Sequence, residues 1–108
     1  MILIYSFNNL PEESETYPDC QVHVQAGQEL KMSEIRKNTP HPSFMESFVF
    51  LMDQLEPVQV KIMDVNVGTE LGSLELEPEM MPLKRKILPV NPDQPCMTAT
   101  LSAYLKYC

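Results

Sequence analysis

Glycine is scarce in this chain, and so is positive charge. Three glycines serve 108 residues and do not cluster, so there is no glycine-rich loop of the kind that cradles phosphate. Eight Lys and Arg against 15 Asp and Glu leave a formal charge of −7. That balance lacks the basic footprint of a nucleic-acid binder, so nucleic acid is not expected as a partner. It also opposes simple attraction to anionic lipid unless a local basic patch overcomes it. No apolar run approaches the roughly 18 residues that span a bilayer. The opening stretch Met1-Ile-Leu-Ile-Tyr5 is apolar but short and has no basic leader, so it reads as a strand and not as a signal peptide. The cysteines Cys20, Cys96 and Cys108 are odd in number and lack C-x-x-C spacing. This fits reduced thiols in a cytosolic setting better than a disulfide framework. The only histidines, His23 and His41, stand at no metal spacing to a cysteine. No set of nucleophile, base and orienting group can be assembled, so an enzyme is not expected.

What is present is one ordinary domain's worth of apolar sequence. Hydrophobic content is 44% and charged content 21%, too apolar for disorder. The length suits a single domain over residues 1–108 with one core. An opening so abruptly on a strand suggests a piece of a larger, multidomain protein. With ten prolines and few glycines, the turns lean on proline.

The central stretch runs from Pro57 to Glu77. Val58, Val60 and Ile62 fall on one face at period two, with Gln59 and Lys61 on the other, the pattern of a half-buried strand. Asp64-Val-Asn66-Val-Gly68-Thr-Glu70 reads as a tight acidic loop, and Leu71-Gly72 begins a returning strand that alternates to Glu77. Around this hairpin, Met1–Phe7 reads as a first strand and Glu12–Asp19 as an acidic loop. Cys20–Ala26 is the clearest alternation, with Val22, Val24 and Ala26 opposed to Gln21, His23 and Gln25. Glu29–Lys37 reads as its partner, near an edge. Two prolines in Asn38–Ser43 interrupt pairing. Phe44–Leu51 is a dense apolar strand. Glu77–Pro82 is a loop or short helical turn, with Met80-Met81 as an apolar tip. Leu83–Leu88 is a basic strand, and Met97–Tyr107 closes the domain. Eight short strands without an amphipathic helix predict an all-β, antiparallel, eight-stranded sandwich.

In this order the features resemble a C2 domain. Asn9-Leu10-Pro11 after the first strand is similar to that family's opening, and Pro18–Val24 occupies the place of its S-D-P-Y-V-x-V. Asn38–Phe50 resembles K-T-x-N-P-x-W-x-E-x-F-x-F, with Phe44 in the aromatic slot and Glu46, Phe48 and Phe50 matching. Val58–Asp64 followed by Leu71-Gly72 resembles V-x-V-x-D…L-G. The shortened loop after Asp64 is most similar to the degenerate C2 domains of extended synaptotagmins, which tether endoplasmic reticulum to plasma membrane. The starting strand suits the circularly permuted, type II topology.

The resemblance implies a calcium site at the loop end, and its ligand positions carry over unevenly. Asp19 and Asp64 match. Asn66 stands where an Asp belongs, Glu70 lies out of register in a loop about three residues short, and the first-loop ligand falls on Glu13 or Glu15. Calcium wants six to eight oxygens, several of them carboxylate, so these are read as degenerate positions and no cofactor is expected. The basic run Lys84-Arg85-Lys86 offers a lipid contact: on a regular strand Lys84 and Lys86 share one face and Arg85 the other. Lys31, Arg36 and Lys37 add to it if their strand lies alongside. The expected function is a non-catalytic module, cytoplasmic and peripheral to a membrane. It would associate without calcium with anionic phospholipid, or pack on a neighbouring C2 domain or other protein. A calcium-dependent phospholipid binder and a purely structural or dimerising sandwich are the alternatives.

Overall fold

In the computed structural model, which describes residues 1–11, 16–51, 54 and 56–105, eight strands follow one another with one short 3-10 turn. They are β1 (Ile2–Asn8), β2 (Cys20–Ala26), β3 (Glu29–Met32), β4 (Ser43–Phe48), β5 (Val58–Asp64), β6 (Thr69–Leu76), β7 (Leu83–Pro89) and β8 (Thr98–Ala103), with the turn at Pro78–Met80 between β6 and β7. They form two four-stranded sheets. The first has the order β4-β1-β8-β7 and the second β3-β2-β5-β6. All pairings are antiparallel. β8 lies beside β1, as the permuted arrangement requires.

The alternation seen in the sequence becomes the core. Val22, Val24 and Ala26 of β2 meet Val58, Val60 and Ile62 of β5 in register. Ile2, Ile4 and Phe7 of β1 and Ala99, Leu101 and Ala103 of β8 close over them from the first sheet. Burial of each such Val, Ile or Leu side chain is worth about 1.5–3 kcal/mol. Phe44, in the aromatic position of β4, meets Phe7 edge to face at 6.1 Å between centroids. Gly72 is required by close approach: a Cβ there would stand 2.8 Å from the Val90 carbonyl oxygen.

Several strands are shorter than the sequence suggests. β3 leaves the sheet after Met32, because the buried Ser33 takes over the bonding: its hydroxyl accepts the Val22 N–H, and its own N–H donates to the Val22 carbonyl. Pairing resumes only as a bridge between Cys20 and Arg36. β4 ends at Phe48, and β8 ends at Ala103. The expected closing residue Tyr107, together with Cys108, Glu13 and Glu15, lies outside the described residues.

Bulges cross the first sheet, marked by register shifts at Ile4/Ser6 and Leu83/Lys86 and by positive φ at Met45 and Arg85. The bulge in β7 leaves Arg85 and Lys86 on opposite sides, as expected, but puts Leu83 and Lys86 on the same, core-facing side, so the alternation is broken at Lys84. The register places Lys86 opposite Leu101, on the core side of the open edge. Arg85 instead turns to the outer face against Tyr5. An extra residue in one strand of a pair re-aims the side chains around it.

Candidate functional site

Asp19 precedes β2 and Asp64 ends β5, and the antiparallel register sets Cys20 against Asp64. The two aspartates therefore belong to the same end of the sandwich. Each carboxylate already has backbone partners. Asp64, 3% exposed, accepts the N–H groups of Asn66 (3.0 Å) and Val67 (3.4 Å) through one oxygen. Its own carbonyl accepts the Gly68 N–H at 2.8 Å. This is an Asx-type turn, in which a short acidic side chain organises its own loop. Asp19 accepts the Asn38 N–H at 2.9 Å, and its carbonyl accepts that of Val65. Both carboxylates bear on the thiol of Cys20. Burial, with Asp19 and Asp64 adding to it and Arg36 opposing it, pushes that thiol up to about 12. An inert, protonated sulfur results.

The acidic loop is shorter than the sequence implied. Thr69 and Glu70 already belong to β6, which leaves only four residues, Val65 to Gly68, in the turn. Glu70 pairs in register with Met63 and meets Lys61 at 3.6 Å, away from Asp64. Asn66 is exposed. Among the described residues no three His, Cys, Asp or Glu side chains gather as a metal site.

The two histidines have ordinary partners. His23 lies on the outer face of β2 beside Gln21 (3.1 Å). Its pKa is lowered by partial burial and by Lys61. His41 accepts the Asn9 N–H through Nδ1.

The cations divide into two groups. β3 lies beside β4 at one open side of the sandwich, and β7 stands at the far edge of the first sheet. Lys31, Arg36 and Lys37 therefore cannot add to the β7 run. Lys31 donates to the Val49 carbonyl and stands over the Phe50 ring. Arg36 donates to the Ser43 carbonyl, pairs with Glu34 and Glu46 and covers the Phe44 ring. These two stitch β3 and its following loop to β4, bridging the two sheets. Lys37 is exposed beyond them.

In β7, Lys84, Arg85 and Lys86 are exposed, and none has a carboxylate within ion-pair distance among the described residues. Arg85 is held nevertheless. Its N–H donates to the Ser102 hydroxyl at 2.8 Å, and its guanidinium lies 4.7 Å from the centroid of the Tyr5 ring. Ser102 is itself 1% exposed. Tyr5 and Ser102 are the supporting residues that sequence reasoning missed, since neither stands out from its strand's alternation. The Met80-Met81 tip is only half available: Met81 packs against the core, and the Met80 sulfur accepts the Glu77 N–H.

A model of the C2 domain family matches residues 1–86. The chain belongs to the C2 domain family. Among solved structures this C2 domain is similar to extended synaptotagmin 2. It matches the chain holding the SMP domain and two C2 domains (TM-score 0.82, 20% identity, 93% of this chain and 25% of that one). It also matches the calcium-bound chain of the two C2 domains alone (0.81, 20%, 93% and 39%). A C2 domain-containing protein from a putative elicitor-responsive gene aligns over 99% of this chain and 88% of its own, at TM-score 0.68 and 18% identity. At these identities the likeness is one of fold. This C2 domain spans 25% to 39% of the extended synaptotagmin 2 chains. No curated protein matches in sequence. C2 domains are generally non-catalytic modules for binding lipid or protein. Among the described residues, no helix is long and apolar enough to cross a membrane.

Proposed function

We propose that this C2 domain is a calcium-independent binding module of a longer protein. It associates peripherally with an anionic membrane surface from the cytosolic side and packs against a neighbouring C2 domain. The observation that carries this reading is the disposition of the would-be calcium ligands. Asp64 and Asp19 hold backbone amides, and Glu70 is turned to Lys61. One oxygen of each aspartate is already engaged by the backbone, Glu70 faces Lys61 and not the aspartates, and Asn66 adds only a neutral oxygen, so few free carboxylate oxygens remain for a cation that wants six to eight. Lys84, Arg85 and Lys86 supply the candidate lipid contact, since they are cations without acidic partners among the described residues. Packing on a second C2 domain has support in the solved chains that carry two C2 domains together. A tethering role where endoplasmic reticulum meets plasma membrane, as for the extended synaptotagmins whose fold this domain shares, is the finest level of the proposal.

Co-sedimentation with phosphatidylcholine vesicles containing 30 mol% phosphatidylserine, in calcium and in chelator, tests this. Equal partitioning under both conditions is expected. Binding that appears only with calcium, and disappears in Asp64→Asn, would overturn it.

A further inference from the structure

We propose that the outer face of the first sheet is the plane that lies against an anionic phospholipid bilayer. Arg85, stacked on Tyr5, is its anchored headgroup contact, with Lys84 and Lys86 at its edge. This rests on the membrane reading above and adds an orientation to it.

Three observations converge on that face. The first is the placing of the acids. The strands of the first sheet contain one carboxylate, Glu46. It stands in register with the core residue Ile4 and is engaged by Arg36 and the Glu34 N–H. No Asp or Glu in these strands therefore occupies an outward position, although the chain carries 15. The strands of the second sheet hold four, Glu29, Asp64, Glu70 and Glu75.

The second observation is the built cation. Arg85 is fixed at its backbone by Ser102 and at its guanidinium by Tyr5, with no carboxylate among the described residues to neutralise it. A flat ring beneath a guanidinium holds it in place without using its N–H donors.

The third is the composition of the surface. Register sets Ser6 beside Thr100 and Ser43, Leu3 beside Ser102 and Ser47, and Ile87 beside Thr100. Ile87 is 67% exposed and Met45 60%. The fully buried cores of protein interfaces are poor in serine. A face that presents the hydroxyls of Ser6, Ser43, Ser47 and Thr100 among isolated exposed apolar side chains instead matches a hydrated headgroup layer.

The strand acids of the second sheet are set back from this face. The sheets of a sandwich pack about 10 Å apart, while the screening length at physiological salt is about 8 Å. The acids on the outer face of the second sheet are thus more than one screening length from a surface that touches the first.

The test is flotation of the full chain with phosphatidylcholine vesicles containing 30 mol% phosphatidylserine, without calcium, across a salt series. Each cation near such a surface is worth about fivefold in partitioning. The triple variant Lys84→Gln/Arg85→Gln/Lys86→Gln should therefore lose on the order of a hundredfold and most of the salt dependence. Lys37→Gln/Lys61→Gln, which removes two exposed or half-exposed cations away from this face, should bind as the parent does. The chain has no tryptophan, so Ile87→Trp and Met63→Trp report on each face independently of the triple variant's folding. Brominated lipid should quench the first and not the second.

If the parent binds while the triple variant binds equally, or Met63→Trp is the one quenched, this orientation is wrong and the membrane reading stands. If the parent binds no vesicles, both fall. Self-association in light scattering without vesicle binding would replace the bilayer with an acidic protein face.

Discussion

The two sheets use the same alternation and share one core, yet their charges have opposite signs. The strands of the first carry Lys84, Arg85 and Lys86 against Glu46, a formal +2. Those of the second carry Lys31 and Lys61 against Glu29, Asp64, Glu70 and Glu75, a formal −2. The state of the cations differs as well. In the second sheet both are paired, Lys31 with Glu29 and Lys61 with Glu70. In the first, all three lack an acid among the described residues. A cation with a carboxylate, a carbonyl and a ring around it contributes to the fold, whereas one held only by a ring and a hydroxyl is available to a partner. Position along the sequence does not separate these roles; the neighbours do.

The largest effect lies in what the sheets have in common. Because both close over one core, Ile62→Ala in β5 and Leu101→Ala in β8 should each cost about 3 kcal/mol in urea unfolding. Each should also unfold the whole domain in a single transition. Separate transitions for the two sheets would show that they are not one cooperative unit.

A smaller effect separates structural from available cations. Arg36→Ala removes hydrogen bonds to β4, two ion pairs and a ring contact. It should lower stability by about 1–2 kcal/mol while leaving vesicle binding unchanged. Arg85→Ala should do the reverse. A variant that lost both properties together would erase the division.

The smallest effect is a pH dependence in the second sheet. The Cys20 thiol is raised from 9.0 to about 12 by burial first and by Asp19 and Asp64 after it. The folded state therefore holds its proton where the unfolded state has lost it. This contribution is fully present below pH 9 and is lost as pH rises from 9 towards 12. Chemical denaturation at pH 8 and pH 10.5 should show a decline that Cys20→Ala flattens. At pH 8 a thiol reagent should label exposed Cys96 in the native protein and reach buried Cys20 only on unfolding.

Much of the architecture was readable because its cause is local. Val58, Val60 and Ile62 repeat at the period of a pleated strand, and Pro40 and Pro42 mark the break before β4. Leu71-Gly72 marks a return whose glycine admits the Val90 carbonyl. The loop end was half readable. Asn66 in place of an Asp was visible, but the extension of β6 back to Thr69 was not. That extension depends on pairing Asp64 with Thr69, and it is what turns Glu70 away. The cation sites were least readable. Arg85 and Met45 adopt positive φ without being glycine, so no residue type announced the bulges. Which open edge faces which is a property of sheet order: β3 stands beside β4 and not β7, and that alone removes Lys31 and Arg36 from the basic run.

The proposed membrane contact is on a sheet face and not at the loop end. Amide NMR of the full chain with phosphatidylserine-containing nanodiscs, recorded in chelator and again in calcium, tests both halves at once. Perturbed amides are expected at Tyr5, Arg85, Ile87, Thr100 and Ser102, unchanged by calcium, with Asn38, Asn66 and Val67 unmoved in either condition. Perturbation centred on Asn38, Asn66 and Val67 that appears only when calcium is added would contradict it.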